Sequence, residues 1–166
     1  MMTRNLIVAV LALILMTPLP VFAQMGAAET DRILDAGEAC FKTMKQKDYA
    51  AIWESLSAKS KAAIVGDVTK RTAGIYTKEQ IETDFSLGAL IAKSYWDEYL
   101  FYFDPDMALE QSRWEMGPIG KQQAEIILQH KKAEQPARLK LFKEGNQWKV
   151  GLIETFGTER REKPRW

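Results

Sequence analysis

Cysteine and histidine each occur once in the 166 residues, and each scarcity excludes chemistry. A single thiol, Cys40, forms no intramolecular disulfide in any compartment, so stability must come from core packing. Its neighbours Ala39 and Phe41 suggest a buried helical position and an inert thiol, with a reactive or intermolecular cysteine as the lesser alternative. One histidine and one cysteine far apart offer no ligand-spaced metal site. His130 has no nucleophile elbow to serve, which argues against a Ser-His-Asp arrangement. The chain also lacks a glycine-rich phosphate loop, and no cofactor is expected. An excess of one charge is missing too: 23 basic and 22 acidic residues leave a net charge of +1. Nucleic-acid binding needs a basic face to neutralise phosphates, so this balance argues against it.

Long apolar runs are scarce. The stretch from Leu6 to Met16 has eleven residues without a polar one, and a bilayer span needs roughly 20. Arg4 is the only charge before it, Thr17 to Pro20 break it, and Val21-Phe22-Ala23 presents compact side chains at the positions a signal peptidase reads. Together these predict a secretory signal over residues 1–23, cleaved before Gln24. A retained membrane anchor is the lesser alternative. No cysteine lies near the cut, so a lipid anchor is disfavoured. The mature chain is then periplasmic or secreted, with no membrane span after cleavage. It is expected to form one small soluble domain over 24–158, long enough to bury a core. The charged tail 159–166 is expected to be disordered or loosely docked.

Gln24 to Ala28 read as a loose start. A first helix is predicted from about Thr30 to Lys47, with Ile33, Ala36, Cys40 and Met44 on one face beside Gly37 and Phe41. Asp48 is the N-cap of a second helix carrying Tyr49, Ile52, Trp53 and Leu56 on one stripe. A short helix is read within Ser57 to Thr72. Thr77 and Gln80 form a capping box that opens a third helical region running to about Phe103, with Gly88 as a kink or close approach. Ile81, Phe85, Ala92, Tyr95 and Tyr99 share its face. Asp104-Pro105 ends that region and can start another turn.

From about Gln111 the period changes to two. A first strand is predicted around Arg113 to Met116, ended by Gly117-Pro118-Ile119-Gly120. Ala124, Ile126, Leu128 and His130 face one way, and Gln123, Glu125, Ile127 and Gln129 the other. Ala137, Leu139 and Leu141 alternate with Arg138, Lys140 and Phe142; Trp148, Val150 and Leu152 alternate with Lys149, Gly151 and Ile153. This is the pattern of a half-buried antiparallel sheet, with a hairpin turn at Glu144-Gly145-Asn146. Helices first and a meander second make an α+β fold.

Two segments, Met44 to Trp53 and Arg138 to Val150, resemble the opening and the closing hairpin of exported members of the nuclear transport factor two-like superfamily, the cystatin-like cone. The resemblance implies N-terminal helices packed on a curved antiparallel sheet formed by the C-terminal half, with a long helix wrapped in a conical cavity. Members include isomerases, dehydratases, cyclases and non-catalytic binding domains, so the fold by itself chooses no function.

Catalytic relatives of the isomerase or cyclase kind place an Asp, or an Asp-His pair, in that cavity. His130 is the one weak catalytic candidate here, with Asp84, Asp97 and Glu98 the carboxylates nearest the aromatic run Tyr95 to Phe103. A solvated or structural role for each is the blander expectation. The aromatic run reads either as a helix enclosed on all sides or as an apolar cavity lined by Tyr95, Tyr99, Phe103, Trp114, Met116 and His130. The leading expectation is a non-catalytic exported domain that binds a hydrophobic small molecule or an envelope protein. The alternative is an isomerase or cyclase using His130 with a carboxylate. The outward sheet face is rich in charge, which predicts a monomer or a weak dimer.

Overall fold

A computed structural model describes residues 21–157, with side chains from Gly26 onward. The expected signal peptide lies almost wholly outside the described residues, as does the charged tail. Among the described residues, seven helices pack on a four-stranded antiparallel sheet that does not close, an α+β fold.

The first helix, α1 (Val21–Gln46), begins well before Thr30. The expectation of a loose start at Gln24 to Ala28 is therefore corrected. Two features extend the helix. Ala27 and Ala28 are strong helix formers. One turn on, the Glu29 carboxylate receives the Lys143 ammonium at 2.5 Å and the Trp148 indole N–H at 3.0 Å, which ties this end to the hairpin around Gly145. Asp48 caps α2 (Tyr49–Ser55) by accepting from the Ala51 N–H at 3.0 Å. Ser57 caps α3 (Ala58–Arg71). The Thr77–Gln80 capping box opens α4 (Lys78–Leu87), with both of its hydrogen bonds formed.

The predicted third helix is two helices. Gly88 adopts φ 60° and caps α4, and α5 (Leu90–Tyr102) starts anew. A Cβ at Gly88 would stand 2.9 Å from the Ala50 backbone nitrogen. The left-handed turn and the close approach to α2 both call for glycine. Asp104 then caps the short α6 (Pro105–Leu109).

The sheet is a meander in the order β1-β2-β3-β4, with β1 (Ser112–Ile119), β2 (Gln123–His130), β3 (Ala137–Glu144) and β4 (Gln147–Gly151). The expected break at Gly117 is absorbed as a register shift between Met116 and Ile119, so β1 continues to Ile119. The parity of β2 is as predicted: Ala124, Ile126, Leu128 and His130 are buried. β4 is shorter than its alternation implied, because Leu152 leaves the strand and opens α7 (Leu152–Phe156). The Thr155 hydroxyl of α7 accepts from the Lys140 N–H at 2.9 Å, so α7 serves the edge of β3 where β4 has ended. The free edge of β4 is met by the α2–α3 junction, where the Ser57 N–H donates to the Val150 carbonyl at 2.9 Å.

The sheet's apolar face is covered by α1. Gly37 makes this possible: a Cβ there would lie 2.7 Å from Ile126 Cδ1, 3.2 Å from the Trp114 ring and 3.4 Å from Leu139. The aromatic helix α5 packs on α4 and α2, and its C-cap Phe103 links it to α1 by stacking on Phe41 at 5.8 Å. No described helix is long and apolar enough to cross a membrane.

Candidate functional site

The aromatic residues expected to line a cavity are packed against one another. Tyr95 and Tyr99 on α5 and its C-cap Phe103 are 3 to 6 % exposed. Their rings join a continuous series: Trp53 to Phe85 at 4.8 Å, Phe85 to Tyr95 at 5.4 Å, Tyr95 to Trp96 at 5.1 Å, Trp96 to Tyr99 at 5.6 Å and Tyr99 to Phe103 at 5.5 Å. Centroid spacings of this size are direct aromatic contact in edge and offset geometries. Phe103 passes the series to Phe41, whose ring meets Trp114 edge-on at 5.8 Å. Trp114 is half-buried on the inner face of β1, and its indole N–H donates to the Ala108 carbonyl at 2.8 Å. Met116 lies two residues along the same face and is packed against the core.

His130 ends β2 opposite Ser112 and is 3 % exposed. Its Nδ1 accepts the Lys132 backbone N–H at 3.2 Å, and its Nε2 faces the Gln111 side-chain oxygen at 3.5 Å. Acceptance at Nδ1 corresponds to the tautomer with its N–H at Nε2, directed toward Gln111.

The three carboxylates named with it serve the helices. Asp84 accepts the Ala92 N–H at 2.8 Å, supplying the cap that Ala89 lacks at the start of α5. Asp97 is held by the Lys93 ammonium at 2.5 Å, the Tyr49 hydroxyl at 2.6 Å and the Lys47 ammonium at 3.3 Å. These partners, Lys93 first, hold its carboxyl far below the usual carboxylate range. Glu98 pairs with Arg71 at 3.1 Å. Cys40 is fully buried, and desolvation pushes its thiol up to about 12. No group of three His, Cys, Asp or Glu residues suited to a metal ion occurs among the described residues.

The outer side of the sheet carries a recess of about 550 Å³. Ile119 and its neighbours in the β1–β2 turn form one wall. Glu125, Lys140 and Phe142 on the outward faces of β2 and β3 form the floor, and Lys59 of α3 and Glu154 of α7 close the far side. Ile119 is 46 % exposed. Both carboxylates are engaged. Glu125 pairs with Arg138 at 3.1 Å. Glu154 accepts from the Ser57 hydroxyl at 2.9 Å and from the Ser60 hydroxyl, whose oxygen in turn accepts the Ile153 N–H at 3.0 Å. Lys140 stands opposite Glu125 in the ladder, but that carboxylate turns to Arg138. Among the described residues, neither the Lys59 nor the Lys140 ammonium has a carboxylate within ion-pair distance. The recess thus joins an apolar surface to two cations without acidic partners.

Comparison with family models, with curated proteins and with solved structures returns no match.

Sequence reasoning passed over Lys59, Ile119 and Phe142. They are exposed or half-buried residues on three separate elements, and no periodicity links them. The one available signal was Phe142, an aromatic residue on the otherwise charged side of β3.

Proposed function

We propose that this chain is an exported, non-catalytic binding domain that takes a small molecule in the recess on the outer side of its sheet. The observation that carries the reading is that recess: a concave surface that sets the apolar side chains Ile119 and Phe142 beside placed charged groups has the form of a ligand site. The aromatic interior serves the reading as a rigid support, since its rings already occupy one another's contact surfaces. The alternative is an isomerase or cyclase using His130 with a carboxylate; it draws on the burial of His130 at the end of β2, where its ring nitrogens meet the Gln111 amide oxygen and the Lys132 backbone N–H.

Descent from the nuclear transport factor two-like superfamily is part of the proposal. It draws on the order of helices followed by a meander, and on Trp148 entering the last strand after the Gly145 turn. Export draws on the signal-like first 23 residues. A monomer or weak dimer draws on the charges of the outward sheet face, such as Arg113 paired with Glu115 and Arg138 with Glu125.

Native mass spectrometry of the chain recovered from its own compartment tests the binding reading. The expected result is a non-covalent small-molecule adduct that is lost when Gln123, an exposed residue lining the recess, is replaced by Trp to fill it. A bare mass for the parent chain, or an adduct that survives Q123W in a folded protein, would contradict it.

A further inference from the structure

We propose that the ligand of the outer recess is an amphipathic organic anion: an apolar body ending in a carboxylate or phosphate-like head. The inference rests on the binding reading above and adds the ligand's charge and shape. Three observations combine. The apolar groups of the recess, Ile119 and Phe142, lie on its turn wall and its sheet floor. Of the acidic groups, Glu125 is paired with Arg138, and Glu154 keeps its charge while accepting two serine hydroxyls, so the two lysines outnumber the one carboxylate left without a cation. The cations are not occupied. Lys59 at the start of α3 and Lys140 on β3 both line the recess and have no acidic partner there.

A lysine ammonium is a compact point charge on a flexible stem. Two of them reach an anionic head without demanding one fixed geometry, while the apolar body lies along the strand face. Near the surface, such attraction is screened by salt over about 8–10 Å. Binding by this mechanism therefore weakens as ionic strength rises.

The volume sets the size. A recess of about 550 Å³ falls within the roughly 300–1,000 Å³ typical of small-ligand pockets. It suits a chain of medium length or one or two rings rather than a long lipid.

Three ten-carbon probes separate the terms: decanoate, decyl maltoside and decyltrimethylammonium, each titrated below its micelle concentration into the ¹⁵N-labelled chain. The expected result is that decanoate moves the amides of Gly120, Gln123 and Lys140, and that the other two probes do not. The double substitution K59E/K140E is expected to weaken decanoate at least tenfold. K59Q/K140Q, which removes the charge and keeps a polar side chain, is expected to weaken it about fivefold. Thermal melting of both variants checks that the fold is retained, and the Gln pair carries the test if the Glu pair unfolds. Decyl maltoside moving the same amides with equal affinity, unaffected by either double variant, would overturn the anion while leaving a binding recess in place. Amides of the recess that ignore all three probes would overturn both.

Discussion

Replacing Gly37 with Ala sets two known effects against each other at one position. Ala is the better helix former, and in a helix interior the exchange is worth about 1 kcal/mol. Against that, the new methyl would lie 2.7 Å from Ile126 Cδ1 and 3.2 Å from the Trp114 ring. Carbon pairs prefer about 3.5–4.0 Å. Ile126 is fully buried, and the Trp114 ring is pinned by its bond to the Ala108 carbonyl at 2.8 Å, so neither retreats freely. Overpacking a core in this way costs roughly 1–3 kcal/mol. The expected net effect of G37A is a loss of about 1 kcal/mol, and of G37V about 3 kcal/mol, because Val adds bulk and gives back helix propensity. Gly66 in α3 is the control, since a Cβ there meets nothing within 4 Å. G66A is expected to gain about 0.5–1 kcal/mol. In a domain of this size 1 kcal/mol moves Tm by roughly 3–5 °C. Paired urea and thermal melts read both variants. If G37A stabilises the chain as much as G66A does, α1 does not lie on the sheet at Gly37 and the packing described above is wrong.

Trp96 is fully buried and its indole N–H has no hydrogen-bond partner among the described residues; W96F removes that unmet donor along with some volume, and should cost less than about 1 kcal/mol, whereas W114F loses a formed bond and should cost more; urea midpoints compare them. Asp97 and Glu29 both titrate below their ordinary values, through their lysine partners first. A folded value below the unfolded one means stability that is fully present at neutral pH and lost as pH falls below about 4. Denaturant midpoints at pH 7 and pH 3 should therefore differ less in D97N than in the parent chain. An equal difference would remove Asp97 from the acid response. Cys40, with its thiol pushed up to about 12 by burial, should react with a disulfide reagent only on unfolding; rapid labelling of the native chain would show the site to be open.

Local chemistry was legible in the sequence wherever it is local in space. Asp48 caps α2, the Thr77–Gln80 box opens α4, and the parity of Ala124 to His130 gives the buried face of β2. Each rests on contacts within a few residues or on a period of two. What was not legible depends on partners distant along the chain. The early start of α1 is secured by Glu29 reaching Lys143 and Trp148. Gly88 reads as a kink or a close approach; the approach is there, to Ala50 of α2, while the full break into α4 and α5 was not legible. The aromatic run of α5 is apolar on more than one face and looks like the element a sheet would wrap. It packs instead on α4 and α2 through neighbouring aromatics, and the sheet takes α1. Gly37, a glycine on an apolar helical face, was the available hint of that choice. The recess is assembled from β1, β2, β3, α3 and α7, so no window of sequence contains it.

The central claim is that ligand lies outside the sheet, over Phe142, and not within the aromatic interior. A crystal structure of the chain grown with 10-bromodecanoate reads this directly from the anomalous signal of the bromine. The account predicts a bromine peak against Ile119 or Phe142, with the carboxylate density directed toward Lys59 and Lys140. A peak among Tyr99, Phe103 and Trp114, or at the exposed Leu87–Leu90 corner alone, would contradict it.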